Sequence, residues 1–261
     1  MRLIRILWQF WKAAFIQAME YRTSFFIGIL ANACDFSFGL IQYILFFSAA
    51  KSIAGWDNDQ MLTLYGVFMT VFSLHFMFLY PNLEAMSRMV NRGELDLALT
   101  KPVSAQIVLS FRNLSFDEFG SFFAAQVLLG YLVFSGALTV TIPGLLLFFV
   151  AMLFSLSFVY ALFLCLMALA IAMEKLQNSA ELLWSLFSLS RYPVDVYPRW
   201  LRTLFMAVIP IGFISTVPAR ILTRGEDPLV LLLGFALIPM FMVLARWAWV
   251  KALKGYCSAG G

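Results

Sequence analysis

The stretch 143-PGLLLFFVAMLFSLSFVYALFLCLMALAIAM-173 decides the fold. It exceeds the roughly 20 apolar residues that a helix needs to cross a bilayer. Its apolar residues are continuous rather than alternating, which argues against a barrel strand. Working outward, the same pattern recurs at about Thr23 to Ala50, Met61 to Tyr80 and Phe119 to Leu138 on one side, and at Leu176 to Ser190 and Leu229 to Val250 on the other. The chain has 261 residues, 62% hydrophobic and 12% charged, where a soluble domain averages about 45–50% apolar and about 25% charged. The excess apolar surface requires lipid as its solvent. The expected fold is an all-α integral membrane protein, a single transmembrane domain over residues 1–261 with six transmembrane helices.

Residues 2–22 predict an amphipathic interfacial helix. Leu3, Leu7, Trp8, Trp11, Ala14, Phe15 and Ala18 share one face, and Arg5, Gln9 and Lys12 the other. That pattern fits a helix lying in the membrane surface, and its interrupting charges do not fit a signal peptide. Before the last span, residues 191–228 are semi-apolar and broken by Pro193, Pro198, Pro210, Pro218 and Pro228. The apolar part, Leu201 to Ile214, is short for a crossing and predicts a re-entrant or interfacial hairpin on the extracytoplasmic side.

The net charge of +4 reads as topology rather than as nucleic-acid binding. With the N-terminus inside, inner segments carry twelve Lys and Arg and outer segments six, which places both termini in the cytoplasm. Five of the six outer charges fall in the broken segment: Arg191, Arg199, Arg202, Arg220 and Arg224. A full crossing of that segment would flip the C-terminus. Cys34, Cys165 and Cys257 have neither metal-ligand nor redox spacing. No internal repeat argues for inverted halves.

Polar residues inside the spans carry the functional reading. In the first span Ser24, Gly28, Asn32, Asp35, Gly39 and Gln42 fall within about 40° of one line at 100° per residue. Such a stripe disfavours lipid and predicts contact with another helix or a wet cavity. Asp35, near mid-span, needs a partner, water or a proton; it is either a packing contact or a pathway group that meets a cationic substrate. Asn178, Glu181, Ser185 and Ser188 repeat the device on the fifth span, although Glu181 is close enough to Lys175 to reach interfacial water. His75 is the only histidine, and a buried, hydrogen-bonded imidazole is expected. No G-x-S-x-G elbow, H-E-x-x-H pair or G-x-x-x-x-G-K-[ST] loop occurs, so the chain is expected not to be an enzyme.

The longest inner segment, residues 84–117, contains 84-EAMSRMVNRGELDLALTKPVSAQIVLSFRN-113. A helix runs toward Arg92 with Gly93 as its cap, Glu94 to Leu99 alternate charge with apolar groups, and Lys101-Pro102 stops the run. Ser104 is placed to cap a second helix ending near Arg112. The segment reads as a docking element for a soluble partner or as a solvated connector.

Arg92-Gly93-Glu94-Leu95-Asp96 with Lys101-Pro102-Val103-Ser104 resembles the inner-loop signature of ABC-2 type exporter permeases. Tyr192-Pro193, Tyr197-Pro198-Arg199-Trp200-Leu201 and Ile209-Pro210-Ile211 are similar to the family's segment after the fifth span. Within that family the chain resembles the small ATPase-less permeases that include viologen-exporter-like proteins. The resemblance implies a transmembrane subunit of an ATP-driven exporter in the inner (plasma) membrane, paired with a second permease, identical or related, and resting on separate ABC ATPase subunits. ATP and magnesium would sit on those subunits and no cofactor on this chain. Arg92, Gly93, Glu94, Leu95, Asp96, Lys101 and Pro102 would contact the ATPase. Gly28, Asn32, Asp35, Gly39 and Gln42 would face Asn178, Glu181 and Ser185 across the dimer or pathway, and Tyr192, Pro193, Pro198, Trp200 and Pro210 would form an outer gate. Asp35 matches no family motif. The substrate class read from these features is amphipathic: a lipid-like molecule, a drug or a hydrophobic cation. An ion-coupled transporter or channel and a non-transporting scaffold are the alternatives.

Overall fold

A computed structural model describes residues 2–49, 52–91, 94–100, 104–173, 179–225 and 228–255. Helix α1 (Arg2–Glu20) meets α2 (Arg22–Ala49) at a one-residue turn. Then come α3 (Asn58–Phe78), α4 (Tyr80–Asn91), α5 (Leu95–Leu99), α6 (Ala105–Phe111), α7 (Phe119–Phe134), α8 (Ile142–Met173) and α9 (Ser179–Leu189). Short helices α10 (Arg199–Thr203) and α11 (Thr216–Thr223) precede α12 (Pro228–Gly255). The all-α membrane architecture is therefore as expected.

The number of crossings is less uniform than the sequence suggests. Four helical stretches are long and apolar enough to span a bilayer: Arg22–Phe46, Asn58–Val90, Ile142–Ala172 and Pro228–Gly255. Helix α7 has 16 residues and the described part of α9 has 11, so each falls short of the roughly 20 that a full crossing takes. Helix α3 starts with a capping box, in which Asp57 accepts from the Gln60 amide and the Gln60 side chain accepts from Asp57 N–H.

The interior is dominated by α3, 13 of whose 21 residues are buried. Helices α7, α8 and α11 pack around it, and α12 lies along α8. Close packing depends on small residues at helix contacts. A Cβ on Gly120 would strike the Ile29 carbonyl oxygen of α2 and stand 2.9 Å from the Ala33 nitrogen, and one on Gly234 would stand 2.6 Å from Phe213. Polar bonds also cross the bundle: Gln126 Nε2 donates to Thr70 Oγ1 at 2.8 Å, and Ser121 Oγ to the Asn32 carbonyl at 3.0 Å.

The apolar face of α1, expected to lie in lipid, is divided. Leu7 is buried while Trp8 is exposed. Trp11 Nε1 donates to the Phe111 carbonyl at 2.7 Å and its ring meets Phe78 edge-on at 5.7 Å. One edge of the amphipathic face thus docks on the chain's own inner loop, through the Phe111 carbonyl and through Phe15 edge-on to Phe116 at 5.4 Å.

This contact places the N-terminal helix and the described part of the 84–117 segment on one side. Arg246 of α12 bonds Gln106 of α6 on that same side. On the opposite side, Trp56 from the 52–57 turn bonds Asp195. Arg224, near the far end of the broken segment, donates to the Gly55 carbonyl of the same turn at 3.2 Å. Residues 199–208 form one arm, 216–223 the other, and Pro210 lies in the turn. The irregular backbone between them is buried, and side-chain hydroxyls satisfy backbone groups there and just before the first arm. Tyr197 donates to the Leu189 carbonyl, Ser215 to that of Ser190 and Ser155 to that of Ile214, while Thr216 Oγ1 accepts from Val194 N–H.

His75 departs from expectation. It is buried, stacked on Phe187 at 4.8 Å, and neither ring nitrogen has a hydrogen-bond partner. Its surroundings are aromatic, with Phe76 edge-on at 5.3 Å, and rings offer no strong acceptor.

Candidate functional site

The polar stripe of α2 is shared between two environments. Its inner half packs within the chain: a Cβ on Gly28 would stand 2.7 Å from Asp117 Oδ1, and Asn32 Nδ2 donates back to the Gly28 carbonyl at 3.2 Å. Its outer half opens into a cavity of about 220 Å³ between α2, α3 and α9. Asp35, Gly39 and Gln42 line it from α2, Tyr65 and Phe72 from α3, and Trp184 and Ser188 from α9, with Arg191 just beyond. The seams of α2 and α9 thus converge within one chain. They do so only at the outer end: Glu181 and Ser185 are exposed and lie outside the cavity, and Asn178 lies outside the described residues. Ser185 and Ser188 hydroxyls donate to carbonyls of their own helix, at 2.9 and 2.7 Å.

Arg191 is the cavity's main feature that sequence reasoning missed; there it counted only as an outer charge. Its Nη2 donates to Gln42 Oε1 at 3.3 Å. Its carbonyl accepts from the Tyr43 hydroxyl, which holds the backbone, and its guanidinium lies 5.9 Å from the Tyr43 ring centroid. Its Nε is buried without a hydrogen-bond partner. Gly39 is needed here, because a Cβ would collide with the Tyr65 hydroxyl and stand 3.3 Å from Arg191 Nη2.

An aromatic ladder leads from this cavity along α3 to the start of α4. Phe68, Phe72, Phe76 and Tyr80 recur every four residues, with successive centroids 5.6, 4.3 and 4.5 Å apart. Trp184 of α9 meets Phe72 and Phe76 edge-on at 5.3 and 5.8 Å. Trp184 is exposed on the chain's surface.

The residues expected at an outer gate take different places. Tyr192 stacks on Tyr43 at 6.0 Å, and Pro193 and Pro210 are buried. Pro198 caps α10 and is exposed, as is Trp200 at 70%. A cluster that the sequence did not announce ties this region together. Asp195 accepts from Trp56 Nε1 at 2.8 Å and faces Arg220 at 2.5 Å, Arg202 at 3.3 Å and Arg224 at 3.6 Å.

On the inner side, Leu95 is buried, so it anchors α5 within the loop rather than presenting a contact, while Glu94 is exposed. Leu95–Leu99, where charge alternates with apolar groups, form helix α5 with Glu94 at its N-cap position. Ser104 holds the N-cap position of α6 with extended backbone but makes no capping hydrogen bond. Arg92, Gly93, Lys101 and Pro102 lie outside the described residues.

Glu118, at the start of α7, has a buried Oε2 with no hydrogen-bond partner. Burial, and then the charges of Asp117 and Asp35, raise its carboxyl to about 7. The folded state therefore prefers the neutral acid. That stability is full below the unfolded value near 4.5 and is lost as pH rises through 7. Glu118→Gln is expected to stabilise the protein by about 1 kcal/mol at pH 8, allowing for solvent screening, and to be neutral at pH 5. Melting curves at the two pH values check this, and an equal shift at both would remove the assignment.

No curated protein and no solved structure matches the chain significantly. The family model described as ABC-2 family transporter protein matches residues 36–260, which includes α3 to α12 and the outer part of α2 with Gly39 and Gln42 but not Asp35. A multi-pass membrane bundle with this inner loop and this broken outer segment, matched over most of its length, belongs to the ABC-2 transporter family as a transmembrane subunit.

Proposed function

We propose that the chain is the permease subunit of an ATP-driven exporter for an amphipathic or hydrophobic substrate, working as a dimer with an identical or related permease. The single observation that carries this reading is the cavity between α2, α3 and α9. It sets polar and charged groups (Asp35, Gln42, Ser188 and Arg191) against aromatic walls inside a mostly apolar bundle. The exposed edge of α9, with Glu181, Trp184, Ser185 and Ser188, is unsuited to lipid and fits the face of a second permease. The ladder on α3 offers an apolar, polarizable track toward the cavity. The inner loop offers exposed Glu94 beside α5 for a soluble ATPase, with both termini on that cytoplasmic side of the inner membrane. ATP would bind and be hydrolysed on the partner, with its magnesium, and the loop would relay closure of the ATPase pair to the cavity.

Purification of the full-length chain from its native membrane in mild detergent tests the reading. A P-loop ATPase is expected to co-elute and to hydrolyse ATP. Charge reversal at Glu94 and Asp96 to Lys should reduce its recovery about tenfold or more. Elution without any ATPase, with flux driven by an ion gradient, would favour a secondary transporter. Partner binding without flux would favour a scaffold.

A further inference from the structure

A second cavity, about 270 Å³, adjoins the first at Gln42. Its lining is almost wholly apolar: Phe46, Ile53, Met61 and Val196, with the rings of Tyr43 and Tyr192. The two cavities follow one another along α2. Asp35 and Gly39 lie in the first, Gln42 in both, and Tyr43 and Phe46 in the second. At the junction stands Arg191, bonded to Gln42 and with Nε unpartnered. One helical turn further in, four residues and about 6 Å along the helix from Gly39, stands Asp35. Among the described residues the carboxylate of Asp35 has no ion-pair partner, although Arg191 lines the same cavity.

The order of chemistry along this path is apolar pocket, cation, anion. We infer that the joined cavities bind a zwitterionic amphiphile whose anionic group adjoins its tail and whose cationic group lies beyond it, as in an aminoethyl phosphate ester. The tail occupies the pocket of Phe46, Ile53, Met61 and Val196. The phosphate-type anion meets Arg191, whose fork geometry suits such oxygens, and the ammonium meets Asp35. This specifies the substrate class of the transporter reading and rests on it. It disfavours a lone hydrophobic cation among the expected substrates, because such a ligand would leave Arg191 facing like charge.

Binding to the isolated full-length permease in a neutral detergent tests this without any ATPase, so failure here leaves the exporter reading standing, and the reverse. Native mass spectrometry and thermal melts compare lysophosphatidylethanolamine with lysophosphatidylglycerol and an alkyltrimethylammonium of the same tail length. The zwitterion is expected to bind at least about tenfold tighter than either. Arg191→Gln and Asp35→Asn should each erase most of that preference, and Arg191→Lys should restore part of it. Val196→Phe should weaken all three probes alike by filling the tail pocket. Soluble phosphoethanolamine, which has the head group but no tail, should bind at least tenfold more weakly than the lysolipid; equal binding would overturn the amphiphile. Tighter binding of the cationic probe, or a preference that survives both charge substitutions, would overturn the assignment of Arg191 and Asp35. Asp35 is exposed to the cavity, so Asp35→Asn keeps the test open if Arg191→Gln does not fold.

Discussion

Asp195→Ala is expected to lower the stability of the folded chain by about 3–5 kcal/mol, the usual cost of leaving a buried charge without its partner. The carboxylate and the Arg220 guanidinium are each about nine-tenths buried, with side-chain exposures of 9% and 10%. Burial alone works against the charged carboxylate. Hydrogen bonds from Arg220 and Trp56, with the charges of Arg220 and Arg202, outweigh it and hold Asp195 below the usual carboxylate range. Because that value is depressed, the clasp is complete above about 3.8 and is lost only as pH falls through the lower folded value. Mild acid near pH 5 therefore leaves it intact, while the Ala variant loses it at every pH. Asp195→Asn should fall between, since it keeps an acceptor for Trp56 but no charge. Arg202→Ala, at a half-exposed position, should cost no more than about 1 kcal/mol. Denaturation in mixed micelles with increasing SDS would measure the series. A parent-like Asp195→Ala would sink the claim that this cluster holds the 52–57 turn against the outer hairpin.

The same cluster shows what was legible in the sequence and what was not. Five arginines in one outer segment run against the preference of Lys and Arg for the cytoplasmic side. That imbalance was visible, but its cause was not. Three of the five converge on Asp195, and a fourth, Arg191, turns into a cavity. Nothing in the spacing of Trp56, Asp195 and Arg220 signals their meeting, because the contact closes over more than a hundred residues. The long spans, by contrast, are local: continuous apolarity sets α2, α3, α8 and α12 without any tertiary input. The α2 stripe was legible as a surface averse to lipid, since helical periodicity fixes which residues share a face. Which surface covers each part was not, since Asp117 and Gly120 answer the inner half and α9 only the outer. His75 failed as a prediction for a similar reason. Burial follows from its place in an apolar run, whereas a hydrogen-bond partner depends on which neighbours happen to face it.

Gly120→Ala should be the most damaging single methyl group in the bundle, costing about 2–3 kcal/mol. Overpacking a tight contact usually costs 1–3 kcal/mol. This one lies at the high end because the obstacle is backbone: the new Cβ would meet the Ile29 carbonyl oxygen and lie 2.9 Å from the Ala33 nitrogen. A side chain could rotate away, but a helix backbone yields only by moving the whole of α2 from α7. Gly130, ten residues further along the same helix, supplies the control. A Cβ there meets nothing within 4 Å, so Gly130→Ala should be neutral or stabilise by up to about 1 kcal/mol through helix propensity. Identical chemistry on one helix is thus expected to give opposite signs, measurable by the same SDS titration. If both glycines respond alike, close approach of α2 and α7 does not organise the bundle. If they differ as expected, the consequence reaches the cavity, because α2 carries Asp35, Gly39 and Gln42. Displacing it by Gly120→Ala should weaken zwitterion binding even though Gly120 touches no ligand, and Gly130→Ala should leave binding unchanged.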